Sequence, residues 1–151
     1  MVAFSHFAKS SFTNHPYVKR IEKPWGYEIH FVKEGKPYMG KILHVAANKR
    51  LSLQVHDQKQ ESWFLLKGRA KVAWDNNKGE LVETELLRGF GYSCEVGQRH
   101  RLVGITDCDI VEVSTPEIGT TYRLEDDYNR KDETGEIRKK ERNKKNILWQ
   151  K

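Results

Sequence analysis

Residues Arg50–Gly68 read RLSLQVHDQKQESWFLLKG. Ser52, Gln54 and His56 alternate here with Leu51, Leu53 and Val55. A period of two is the signature of a β-strand, whose successive side chains point to opposite faces. The three polar groups therefore share one face, while the apolar ones pack a core or a partner sheet. Polar side chains turned into a barrel interior cost free energy unless something satisfies them. A metal ion would do so. Neutral imidazole nitrogen, amide oxygen and carboxylate suit Zn, Fe, Mn or Ni. Gln54, His56 and Glu61 supply such donors, and His100 offers a second imidazole from a distant strand. Spacing alone leaves a second reading open, in which Gln54 and His56 form a plain buried hydrogen-bond network.

Outward from this stretch, short apolar or alternating runs recur between turn signals. Strands are expected near 27–32, 38–46, 51–56, 62–66, 70–74, 81–87, 91–94, 99–103 and 109–114. Asp75-Asn76-Asn77-Lys78-Gly79 is a good hairpin loop between two of them. Many short strands at this spacing predict an antiparallel all-β sandwich or barrel. Residues 1–22 are expected to form an irregular or strand-exchanging arm. Residues 131–151 are expected to form a charged, partly helical, basic tail.

The 151 residues suit one domain with a core of useful size. The two cysteines, Cys94 and Cys108, make no disulfide framework and suit a reducing compartment. No signal-like apolar run opens the chain, and no stretch is long enough to span a membrane. A cytoplasmic location without membrane association is expected. The net charge of +6 invites a nucleic-acid reading. Its distribution argues against one: residues 130–151 carry nine Lys/Arg against four Asp/Glu, leaving 18 against 17 in residues 1–129. The basicity belongs to the tail, whose Ile147, Leu148 and Trp149 are expected to dock on the barrel rather than to bind RNA. Trp25, Trp63 and Trp74 read as packing residues, and Cys94 as a small buried hydrophobe. His6, His15, His30 and His44 lack ligand spacing, and Arg99 falls on the face opposite His100.

Gln54-x-His56-x4-Glu61-x6-Gly68 resembles the first cupin motif, with Gln54 in the place of its first histidine. Gly89-x5-Glu95-x-Gly97-x2-His100-x3-Gly104 resembles the second. Within cupins the chain is similar to the phosphomannose isomerases. KPWGYE (23–28) looks like the opening of their type II cupin domain, and LSLQVH looks like their metal strand. EVSTPE (112–117) and YRLEDDYNR (122–130) look like the closing segment of stand-alone relatives. The resemblance covers about residues 23–130. It implies a cupin double-stranded jelly-roll barrel, often a homodimer. It also implies one divalent metal ion, Zn first, on Gln54, His56, Glu61 and His100.

The departures bear on function. Lys59 stands where the type II pattern has an arginine tied to activity, and Ser62 where it has a histidine. Lysine keeps the charge and loses the planar, two-pronged donor. Aldose–ketose isomerisation needs a Lewis acid, a base of tuned pKa and a cation for phosphate. The metal with Glu61 would meet the first need, and Lys41 and Lys59 are candidates for the others. The resemblance further assigns Ser52, Arg123 and Arg130 to substrate binding. The expected function is a metal-dependent isomerase of a phosphorylated or nucleotide-linked sugar, in sugar-nucleotide or surface-polysaccharide metabolism. The alternatives are a non-catalytic sugar- or metal-binding cupin, or a cupin epimerase, decarboxylase or dioxygenase.

Overall fold

The structure, a computed structural model, describes residues 17–143. Most of the expected arm and the end of the tail, with Ile147, Leu148 and Trp149, lie outside the described residues. The elements are β1 (Lys19–Lys23), β2 (Gly26–His30), β3 (Met39–Val45), β4 (Leu53–His56), β5 (Glu61–Lys67) and β6 (Ala70–Asp75). They continue as β7 (Leu81–Glu85), β8 (Gly91–Cys94), β9 (His100–Gly104), β10 (Cys108–Ser114), β11 (Thr121–Glu125) and a helix, α1 (Gly135–Arg142). Two antiparallel sheets form, in the orders β1-β2-β3-β10-β5-β8 and β11-β4-β9-β6-β7. Their facing surfaces make a jelly-roll barrel.

Alternation divides the barrel interior lengthwise. On β3, Val45 and Leu43 point inward, and Lys41 follows on the same face. On β10 the inward series is Cys108, Ile110, Glu112 and Ser114; on β5 it is Leu65, Trp63 and Glu61. Register aligns the three series. Ile110 pairs with Leu43 and Leu65, Glu112 with Lys41 and Trp63, and Ser114 with Met39 and Glu61. One end of the barrel is thus a dry core of Trp25, Leu43, Val45, Leu65, Leu102 and Ile110. The other end, on the same strands, is charged.

Tight corners hold this register. Gly68 closes the β5–β6 turn at φ +77°, and a Cβ there would lie 2.1 Å from the Asp107 carbonyl. No other residue type fits that combination without moving backbone. β1 and β11 were not expected as strands. Each is a sheet edge, and each has a weak pattern: β1 buries only Ile21, while Tyr122 and Leu124 of β11 face solvent. After β11 the chain turns into α1, capped by the Thr134 hydroxyl, which accepts from Ile137 N. Its acidic Glu136 and basic Lys139, Lys140 and Arg142 suit the helix dipole. No helix among the described residues is long and apolar enough to cross a membrane.

Candidate metal centre

Three strands deliver the expected donors to the charged end. Gln54 and His56 sit on β4 two residues apart, facing inward. Gln54 is paired in register with His100 of β9, which sets amide and imidazole side by side. Glu61 opens β5 in the opposite sheet. The His100 Nε2 lies 2.8 Å from Glu61 Oε1, and the His56 Nε2 lies 3.3 Å from the same oxygen. Gln54 Nε2 approaches His100 Nε2 at 3.2 Å, and Ser52 Oγ donates to Gln54 Oε1 at 2.9 Å. His56, Glu61 and His100 are buried, and their donor atoms all lie within 4.8 Å of one another.

The chemistry of this donor set fits a cation. His100 Nδ1 lies 3.0 Å from the Gln98 carbonyl, which only accepts, so Nδ1 carries a hydrogen. Its Nε2 then presents either a second proton or a lone pair to the Glu61 carboxylate. A lone pair against a carboxylate at that distance is repulsive unless a metal ion or a proton lies between. His56 Nδ1 is held 2.9 Å from Thr121 Oγ1, its partner in the β4–β11 register. Each imidazole is thus oriented from behind with Nε2 turned to the centre, as metal-binding histidines are. Turning the Gln54 amide over directs its oxygen to the same point, and Ser52 can accept as readily as donate.

The protonation states are opposed. Burial pushes His56 down to about 4, so it is neutral at pH 7. Burial alone would lower His100 as well, but its hydrogen bonds with Cys94 and Glu61 outweigh that and hold it up at about 10. Glu61, despite burial, is kept well below the usual carboxylate range by Lys59 and the two histidines.

Beside this cluster runs a buried ladder of charges. Lys59 Nζ lies 2.5 Å from Glu61 Oε2 and 3.1 Å from Glu112 Oε1. Lys41 Nζ reaches Glu112 at 3.4 Å and Glu117 at 2.6 Å. Lys59 lies in the turn between β4 and β5, amid polar residues, yet its side chain is only 8% exposed. Both lysines are held in the charged form: burial would discharge them, but Glu112 and its neighbouring carboxylates prevail. They are cations here, not bases. Glu112 is pushed upward by burial and by Glu61, the reverse of Glu61 and Glu28. Sequence reading missed Glu112. Its signal was available in the alternation Ile110, Glu112, Ser114, which puts it inside.

Lys41, Ser52, Gln54, His56, Lys59 and Glu112 line one pocket. Arg123 and Arg130 border it too, but their guanidinium groups are occupied, by Glu133 at 2.9 Å and Asp126 at 2.5 Å. Arg99 pairs with Asp75 away from the site, as its strand parity implied. α1 lines the pocket through Arg138, Glu141 and Arg142, and the space left open to water is about 50 Å³.

An all-β jelly roll with an inward cluster of histidines and a carboxylate is the architecture of a cupin, here with His56, Glu61 and His100 as a possible metal site. The chain belongs to the family described as Mannose-6-phosphate isomerase C-terminal, which matches residues 9–133. It is 30% identical over 118 residues to mannose-1-phosphate guanylyltransferase 2 of Escherichia coli O157:H7, covering 76% of this chain and 22% of that protein. It is 31% identical over 112 residues to the alginate biosynthesis protein AlgA of Pseudomonas aeruginosa, covering 73% and 21%. The chain therefore spans about a fifth of the length of these relatives. A Bacillus subtilis oxalate decarboxylase, described with Mn(II) centres, superposes with a TM-score of 0.59 at 12% identity, over 71% of this chain and 30% of that one.

Proposed function

We propose that this chain is a metal-dependent sugar-phosphate isomerase that interconverts an aldose phosphate and its ketose, with mannose 6-phosphate and fructose 6-phosphate as the first pair. The observation that carries this reading is the convergence of Gln54, His56, Glu61 and His100 beside the buried lysines Lys41 and Lys59. Gln54, His56, Glu61 and His100 would hold the ion, zinc by preference among Zn, Fe, Mn and Ni. When bound, the ion supplies a Lewis acid for two adjacent sugar oxygens. The protein's own groups meet the remaining needs. Lys41 and Lys59 provide positive charge for phosphate and developing oxyanion. Glu112 is the carboxyl of the ladder whose hold on a proton is strengthened, which suits it to receive and return the proton that moves between carbons. Family membership and relatives named for mannose 1-phosphate and alginate chemistry support sugar phosphates as the substrate class.

The test is exchange of deuterium from solvent into the sugar phosphate, followed by NMR, with the metal-loaded protein. Wild type should show weak, metal-dependent exchange. Lys59→Arg should raise it about tenfold, because a guanidinium can address both carboxylate neighbours, whereas Lys41→Met should lower it. A second reading, a sugar-binding module without turnover, is favoured by Lys59 and Ser62 and by the full neutralisation of the pocket cations. Sugar binding without exchange in wild type and Lys59→Arg would establish that reading and exclude the isomerase.

A further inference from the structure

α1 begins after the last residue that the family match covers, yet it lines the pocket. Arg138 fixes its base. It donates to Glu133 Oε1 at 2.9 Å and to the Glu117 carbonyl at 2.6 Å, and is itself buried. At the far end of the helix, Glu141 pairs with Lys23 of β1 at 3.0 Å. Arg142, in the last turn, reaches the Glu117 carboxylate. The same carboxylate is held by Lys41 from the barrel side at 2.6 Å. Glu117 therefore lies between a helix arginine and a strand lysine.

Three facts mark that carboxylate as a stand-in. Glu117 belongs to the connection between β10 and β11, not to a strand, so its side chain can leave without breaking a ladder. With it in place the pocket offers about 50 Å³, room for a few waters and too little for a hexose phosphate. Metal binding also makes the site more positive. Lys41, Lys59 and Arg142 face Glu28, Glu61, Glu112 and Glu117, and a divalent cation adds positive charge to that set. A phosphate dianion offsets that added charge, and a guanidinium opposed to an ammonium is well suited to bind it.

We propose that Lys41 and Arg142 form the subsite for the phosphate group of the ligand, and that Glu117 fills this subsite until a phosphate displaces it. The inference rests on the sugar-phosphate reading of the pocket for its ligand class, and adds the helix arginine and the displaced carboxylate. Calorimetric titration of the full-length, metal-loaded protein with mannose 6-phosphate, mannose and inorganic phosphate tests it. Arg142→Gln should weaken both phosphate-bearing ligands about tenfold or more. Glu117→Gln should tighten them, because a neutral amide competes less well for the two cations. Mannose affinity and metal content should not change in either variant. Unchanged phosphate affinity in a folded Arg142→Gln protein overturns the proposal, as does weakening by Glu117→Gln or failure of wild type to prefer the phosphate ligands over mannose. Should Glu117→Gln fail to fold, the Arg142→Gln titration decides alone. Because binding is read without turnover, variants that behave as expected in a protein that exchanges no deuterium leave the subsite standing and remove only the isomerase reading.

Discussion

Metal binding at this centre should expel a proton, and the structure fixes how strongly pH enters. In the metal-free chain His100 holds its proton up to about pH 10. Burial opposes that charge, but Cys94 Sγ at 3.0 Å from Nδ1 and Glu61 Oε1 at 2.8 Å from Nε2 outweigh it. A metal ion needs the same Nε2 lone pair, so the proton must leave. At pH 7.5 that competition should weaken the apparent affinity by roughly two to three orders of magnitude. His56, at about 4, adds nothing because it is already neutral. Titrating zinc or manganese into metal-free protein, in buffers of different ionisation enthalpy, should show about one proton released per ion. Affinity should rise about tenfold per pH unit between pH 7 and 9. Zero proton release, or a flat affinity, would refute the His100–Glu61 ion pair as the metal-free ground state. A linked stability effect has a definite sign. His100 is raised above its unfolded value near 6.5, so its contribution is complete below that pH and is lost as pH climbs through about 10. The melting temperature of the metal-free protein should therefore fall across that window, and that of the loaded protein should fall less.

His56→Ala and His100→Ala should each purify with most of the metal missing by elemental analysis; full occupancy in both would remove these residues from the ligand set. Lys59→Met strands the Glu61 and Glu112 carboxylates against each other, and should cost roughly 3 kcal/mol in urea unfolding at neutral pH, less at acid pH as Glu112 takes a proton. Equal stability at both pH values would contradict the ladder. Gly68→Ala places a Cβ against the Asp107 carbonyl at positive φ, and should destabilise by roughly 3 kcal/mol; a loss under 1 kcal/mol would mean the turn relaxes freely. The outer face of the six-stranded sheet exposes Phe64, Leu66 and Val113 together. If the homodimer that the resemblance implies forms there, light scattering should give about twice the 17.7 kDa chain mass, and Phe64→Asp should reduce it to the monomer.

The alternation in Leu51–His56 was enough to read both a strand and a polar inward face, because period two survives wherever one face is buried. The same reasoning failed at Lys19–Lys23 and Thr121–Glu125. Edge strands bury little, so Ile21 was the only apolar signal in β1, and the outward Tyr122 and Leu124 blurred β11. At the site, the motif spacing pointed to Gln54, His56, Glu61 and His100, which the structure gathers in one place. It could not show that Lys59 is buried, since nothing in a polar loop reveals which carboxylates wait across the barrel. The charge states of Lys41 and Lys59 were equally hidden: they depend on Glu112 and Glu117, at least 50 residues away in sequence and adjacent only after β3, β5 and β10 align. Arg123 and Arg130 stand at the pocket as expected, but their partners Glu133 and Asp126 became visible only with the turn that follows β11.

The seam between β4 and β9 has a mechanical consequence. These strands share one registered pair, Gln54 with His100, flanked by backbone hydrogen bonds from Leu51 N to the Leu102 carbonyl and from Gly97 N to the His56 carbonyl. Glu61 reaches the same point from the other sheet. An ion gripped by Gln54, His56, Glu61 and His100 would act as a rivet through both walls, tying β4 and β9 to β5. Amide hydrogens of these strands, although they belong to different ladders, would then exchange as one cooperative unit whose protection tracks metal concentration. Removing the metal would let the charged end of the barrel loosen first while the dry end around Leu43, Leu65 and Ile110 stays shut.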